Sequence, residues 1–303
     1  MKTIALADGE LHELERKLIA SAQQHILKTG FELDALEPIT AAQLAEEVAS
    51  PELRDRIVSA CLLVALIDGE ASHSEVAQLE AFASELGVTS QALRDVRRLV
   101  DDQLLVMRLD IARRSFLGQR GRAYLSQHGL RGLGRTVRSL IGIENRGLAA
   151  RYQVLAELPR GTLGREYVEF VRANDFALPG EPNGAPEVVL FHDCLHVLGG
   201  YATSSIEETQ IAAFQAGMLR REPMFGLLFM LAQFQLGVQI TPITGAEKRV
   251  ADPDLMLRAF IRGCNVNRDM CTDWDPAQDL QRSVDELRLA YNILPREVAT
   301  ASS

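Results

Sequence analysis

Cysteine, aromatic residues and long apolar runs are all scarce in this chain, and each scarcity excludes something. The four cysteines at positions 61, 194, 264 and 271 form no CxxC pair and no disulfide framework. That points to a reducing compartment and away from a small stapled secreted fold. Aromatics are 6% of the residues, with one tryptophan, and no stretch alternates apolar and polar residues as a half-buried strand does. Long amphipathic Leu/Ala/Glu/Arg segments dominate instead, so the expected fold is all-α. Residues 223–246 hold no charge, but Gln233, Gln235, Gln239 and Pro242 break the run. A transmembrane helix needs about 20 mostly apolar residues. The first residues turn acidic too soon for a secretory signal, so a cytoplasmic location is expected. A net charge of −9 argues against general nucleic-acid binding.

That charge is unevenly spread. Residues 1–100 carry nine Lys+Arg against seventeen Asp+Glu, and residues 101–151 carry ten Arg against four acids. The expected organisation is a helical domain over 1–100, an Arg/Gly-rich connector over 101–134 and a larger helical domain over 135–303. Helices are expected near 10–29, 40–48, 51–67, 72–86 and 89–115. They resume near 147–157, 162–174, 186–198, 204–221, 224–239, 253–263 and 277–292. Arg113, Arg114, Arg120, Arg122, Arg131, Arg135 and Arg138 in or beside the connector either meet anionic lipid head groups or dock on the acidic first domain.

With only six histidines in the chain, two fall in His192-Asp193-Cys194-Leu195-His196, and Glu208 follows after eleven residues. On a helix His192 and His196 project from one face about 40° apart, and Asp193 lies within about 60° of His196. Cys194 points away. Two imidazoles and a carboxylate with one open position suit a catalytic zinc site, and iron or manganese use the same set. The plainer alternative is that Ser205-Ile206-Glu207-Glu208 is a capping box and the histidines are core residues. HDxxH lacks the glutamate base of an HExxH metalloprotease, which disfavours peptide hydrolysis.

An internal repeat marks the first domain. Asp8-Gly9-Glu10 with Glu15 recurs sixty residues later as Asp68-Gly69-Glu70 with Glu75. Asp-Gly makes the turn and acids suit the first turn of a helix. Alternatively these six acids form a second cation site for Ca²⁺ or Mg²⁺. The repeated pattern resembles TerB-like (tellurite-resistance) domains, which are compact helical bundles. Only seven residues precede Asp8, so the usual leading helix looks truncated.

The stretch from 135 to 295 resembles the coenzyme Q biosynthesis family called Coq-four, whose signature is HDxxH-x11-E. Leu158-Pro159-Arg160-Gly161-Thr162-Leu163-Gly164-Arg165-Glu166-Tyr167 resembles its LPxGTxGxxY segment, and His196-Val197-Leu198-Gly199-Gly200-Tyr201 its HVLxGY segment. Trp274-Asp275 with Glu286-Leu287-Arg288 resembles its closing pattern. Where the family usually has glycine before the motif glutamate this chain has Glu207, a carboxylate placed to compete or to act as a base.

The resemblance implies a divalent metal, zinc first and iron or manganese next, on His192, His196 and Glu208. Asp193 would be a fourth ligand or a catalytic group. It also implies metal-dependent, oxidative C1 decarboxylation of a prenylated hydroxybenzoate in ubiquinone or prenylquinone biosynthesis. The expected partners are a prenylated aromatic or quinone lipid, other quinone-biosynthesis proteins, a membrane surface met peripherally and a second copy of the chain. Arg165 and Tyr167 are candidates for the head group, and Met224, Phe225 and Phe229 for the tail. A non-catalytic lipid-binding scaffold and a cation-responsive membrane adaptor are the alternatives.

Overall fold

The helices start where short polar side chains can take the amide N–H groups that a first turn leaves unpaired. The computed structural model describes residues 1–296 apart from 71, 102, 105, 106, 108–114, 222 and 241–244. In chain order the helices are α1 (Lys2–Ala5), α2 (Glu13–Ala22), α3 (Ala41–Glu47), α4 (Pro51–Val64), α5 (His73–Glu85) and α6 (Gln91–Val100). Then come α7 (Phe116–Leu140), α8 (Arg146–Gln153), α9 (Leu163–Ala173), α10 (Leu190–Gly199) and α11 (Ser205–Met218). The last are α12 (Pro223–Phe234), α13 (Pro253–Cys264) and α14 (Val284–Ala290). Thr40, Ser50, Ser72, Ser90, Ser115, Asn145 and Asp252 each accept a backbone N–H at a helix start. Among the described residues every element is helical, and β-pairing is confined to isolated bridges at Thr162–Ser283 and Leu236–Lys248. The fold is all-α, as expected.

Ahead of the first Asp-Gly turn, α1 is a single helical turn with Ile4 and Ala5 buried. Both repeat turns are built alike. Asp8 Oδ1 accepts from Glu10 N at 3.2 Å, Asp68 Oδ1 accepts from Glu70 N at 3.0 Å, and Gly9 and Gly69 take φ of +101° and +89°. Not all six acids come together. Glu10 is exposed, Glu70 pairs with Arg249, and Asp8 and Asp68 each spend an oxygen on the turn. Glu15 and Glu75, 3% and 4% exposed, meet inside the bundle, with Asp68 near both and Asp8 near Glu75. Each is also tied to its own helix start, Glu15 by His12 N and Glu75 by the Ser72 hydroxyl.

Burial pushes the Glu15 carboxyl up to about 8; the His12 amide pulls the other way, and Glu75 and Asp68 add to the rise. The unfolded chain ionises this group near 4.5, so through the interval up to about 8 the folded chain keeps a proton that the unfolded chain has lost. Stability therefore declines as pH rises through that window and levels off above it. Glu15→Gln is expected to flatten the decline between about pH 5 and about pH 8.5 in urea unfolding. An unchanged slope would remove Glu15 as its cause.

Two departures from expectation concern the middle of the chain. The expected connector is largely the helix α7, opened by Ser115 accepting Gly118 N at 3.2 Å and kinked at Gly129 (φ 55°, ψ −149°). Leu, Arg, Gln and Ala between its glycines are strong helix formers, and one glycine absorbs the bend. Arg120 is not a head-group ligand: it donates to the carbonyls of Met270, Cys271 and Trp274 and lies 4.0 Å over the Phe191 ring. Arg138 is exposed and donates to Glu144 O. Arg113 and Arg114 lie outside the described residues, as do the side chains of Arg131 and Arg135.

The second departure is α12, the apolar segment, which is buried from Phe225 through Phe234. Among the described residues no helix is long and apolar enough to cross a membrane. Phe225 and Phe229 pack with Met107, Ala232, Val238 and Ile240 in a small core of their own. The main apolar core runs unbroken from Ile4, Leu62 and Leu79 to Phe191, Phe214 and Met256. Polar clasps reinforce that continuity: Lys17 meets Asp252 at 2.6 Å, His25 meets Asp254 at 2.6 Å, and the buried Gln235 amide donates to Ile67 O.

Candidate metal centre

Helix α10 carries the HDCLH segment, and its C-terminal end is held by cations. Arg288 donates to Val197 O and Leu198 O, Arg262 to Gly199 O and Arg296 to Gly200 O. Gly200 turns the chain out with φ +70°. Orphan carbonyls and the negative end of the helix are thus satisfied by guanidinium groups. This is what Arg288 of the closing pattern does. Trp274 and Tyr291 both donate to Asp279, which fixes the segment leading to α14.

Helix α11 lies beside α10 and sets Glu208 against both histidines. Its N-cap is Ser204, and no side chain caps it. Ser205 is already the first helical residue and donates to Glu247 at 2.7 Å, so the alternative capping box does not form. Its Oε1 lies 3.4 Å from His196 Nε2 and its Oε2 3.6 Å from His192 Nε2, while the two Nε2 atoms are 3.1 Å apart. Bonds of about 2.1 Å set donors about 3.4 Å apart on a tetrahedron and about 3.0 Å apart on an octahedral face. The three separations, with one Glu208 oxygen facing each histidine, lie near these values. His192, His196 and Glu208 can hold a metal ion, and they are the one such group among the described residues.

The surroundings orient these donors. His196 is 2% exposed, its Nδ1 faces the Tyr201 carbonyl at 3.1 Å, and Phe170 stacks on its ring. A carbonyl only accepts, so Nδ1 carries the proton and Nε2 presents its lone pair. Burial works against charge on Glu208, but His192 and His196, when protonated, outweigh it and hold the carboxyl at about 2. Burial likewise disfavours the charged His192 ring, yet Glu208, Asp193 and Gln215 together raise its basicity.

Asp193 stands outside the donor triangle. It lines the same cavity, its carboxyl group makes no hydrogen bond among the described residues, and burial raises that group against the pull of His192 and His196. Glu207 does not compete: Arg296 grips both of its oxygens and Ala202 N donates to it. Cys194 is buried and off the cavity wall, as its helical direction implied.

The triangle opens on a cavity of about 780 Å³. Its walls come from α9, α10, α11, α12, the 175–186 loop, and Ser139 of α7. The expected contacts need correction here. Arg165 pairs with Glu169 and the Ala156 carbonyl, because it lies one helical turn from Glu169 on the outer face of α9. Tyr167 is buried against Tyr152. Met224 and Phe225 face other parts of the core, and only Phe229 of the named set reaches the cavity. Thr162 donates to Pro159 O rather than capping α9.

Sequence reasoning missed Phe170, Phe176, Gln215, Gln233 and Phe234, which do line the cavity. A signal existed for one of them: Gln215 follows Glu208 by two helical turns and so shares its face. Among the described lining residues Asp175, Asp193, Glu208 and Glu247 are acidic and none is Lys or Arg. In comparisons with known proteins, no family model and no curated protein matches this chain.

Proposed function

We propose that the chain is a divalent-metal enzyme of prenylquinone biosynthesis that removes the C1 carboxyl group of a prenylated hydroxybenzoate. The observation that carries this reading is the meeting of His192, His196 and Glu208 on the wall of one large, partly apolar cavity. Its volume falls in the range that takes a drug-sized ligand, so the ring sits inside and a long tail runs outward. When bound, the metal supplies Lewis-acid stabilisation of charge on the ring acid, and a redox-active ion would also serve oxidation by dioxygen.

The protein's own residues do the rest. With no Lys or Arg among the described lining residues, a ring carboxylate has a cationic anchor only at the His/His/Glu triangle. Phe170 and Phe229 flank the cavity with flat apolar surface and exclude water. As the C1–carboxyl bond breaks, its electron pair stays on the ring carbon and CO₂ leaves. Asp193, whose carboxyl burial keeps inclined to hold its proton, delivers that proton to C1.

Substrate of this class resides in a bilayer, and α7 offers the docking face. Leu133, Val137, Ile141 and Ile143 are exposed along it and just beyond it. Ser139 of the same helix donates to Gly184 O, on the loop that lines the cavity, and Phe176 is both exposed and part of the lining. An apolar face with the exposed Arg138 on the same helix suits peripheral binding to anionic lipid, at the inner membrane.

Metal-loaded protein is expected to release CO₂ from a prenylated hydroxybenzoate held in anionic vesicles. Ile141→Asp should lower that rate and vesicle co-sedimentation together. Lipid retention without turnover, unchanged in His196→Ala, would contradict the enzyme and favour a lipid-binding scaffold.

A further inference from the structure

Gln215 sits two turns beyond Glu208 on α11, 2% exposed, with its side-chain Nε2 3.0 Å from His192 Nδ1. Its backbone carbonyl is engaged by Cys271 Sγ at 3.6 Å, and its carboxamide makes no other hydrogen bond among the described residues. A neutral imidazole has one donor and one acceptor nitrogen. In this orientation the amide donates to Nδ1, so the His192 proton lies on Nε2. That proton points toward His196 Nε2, 3.1 Å away, and His196 in turn donates from Nδ1 to the Tyr201 carbonyl. The run from Gln215 through His192 and His196 to Tyr201 is self-consistent, and it leaves His192 Nε2 without a lone pair for a metal.

A half-turn of the amide about its last bond reverses this. Oε1 then faces Nδ1, Nδ1 carries the proton and donates, and His192 Nε2 turns its lone pair on the Glu208 oxygens and His196 Nε2. The two amide orientations have the same shape, so the change costs no repacking. His196 has no such choice, because a backbone carbonyl cannot donate.

We propose that Gln215 is a positioning residue that sets metal affinity by selecting which nitrogen of His192 carries the proton. This rests on the metal reading of the site but concerns a residue outside the ligand set. One side chain thereby stabilises two registers, one that ties the histidines together and one that opens them to the ion. Outer partners of metal-bound histidines commonly do the second of these alone.

The test is metal affinity by competition with a chromophoric chelator, using Zn²⁺ and Mn²⁺, with ¹⁵N NMR of the imidazole nitrogens. Gln215→Met keeps the length and the apolar fit but can neither donate nor accept. It is expected to weaken binding by about tenfold to a hundredfold. Gln215→Glu, which only accepts once ionised, should bind at least as tightly as wild type and show His192 protonated at Nδ1 before metal is added. Wild type should move from Nε2–H to Nδ1–H on loading. Gln215→Met within about threefold of wild type, or Gln215→Glu weaker than Gln215→Met, would overturn the assignment while leaving the metal site intact. Wild-type protein that takes up neither ion would overturn the metal reading itself, and this inference with it.

Discussion

Glu208→Ala is expected to lower divalent-metal affinity by more than about 100-fold, beyond the range seen when an outer partner of a ligand is lost. Glu207→Ala, one residue away, should change it by less than about twofold. The contrast follows from what each carboxylate touches. Among the described residues Glu208 is the one carboxylate grouped with both Nε2 atoms, and its low pKa keeps it ionised at neutral pH, so it binds a cation without first losing a proton. Glu207 is spent on Arg296 and the Ala202 amide. Removing Glu208 leaves two imidazoles from a single helix, a site with neither a charge nor a second anchoring element. Chelator competition on both variants checks the pair, and equal losses would mean that metal uptake does not depend on this geometry.

Gly263→Ala should destabilise the fold by at least about 3 kcal/mol, at the upper end of ordinary overpacking. A Cβ at Gly263 would lie 2.0 Å from Phe214 O, and one at Gly217 would lie 2.1 Å from Phe260 O. Helices α11 and α13 therefore touch backbone to backbone, and no side-chain adjustment relieves the clash. Elsewhere in a helix the same exchange helps, by roughly 0.5–1 kcal/mol. Gly134→Ala in α7, where nothing lies within 4 Å of the added carbon, supplies that control and should stabilise. Because α11 also carries Glu208 and Gln215, Gly263→Ala should weaken metal binding in whatever fraction stays folded. Urea unfolding of the two variants gives the signs; destabilisation of both alike would refute the close-contact account.

Local chemistry made much of this architecture readable. Ser50, Ser72 and Ser90 precede amphipathic runs and do cap them, and both Asp-Gly turns form as their residues dictate. The HDxxH spacing put His192 and His196 on one face without tertiary information. What escaped was decided at a distance. Arg120 reads as a solvated cation until the carbonyls of Met270, Cys271 and Trp274 arrive from 150 residues or more away along the chain. The apolar residues of α12 carried no mark of which would face the cavity, since α12 is buried all round and lacks a polar face to orient it. The loop at 175–186 walls the cavity through Phe176, Asn183 and Gly184, a role that only the folded chain gives it.

The central claim is that this chain is a metalloprotein through His192, His196 and Glu208, and elemental mass spectrometry of the purified protein tests it most directly. The account predicts close to one equivalent of a single divalent metal per chain, lost in His196→Ala and Glu208→Ala and retained in Glu207→Ala. Wild-type protein without metal after exposure to zinc, iron and manganese, or metal that survives both ligand substitutions, would contradict it.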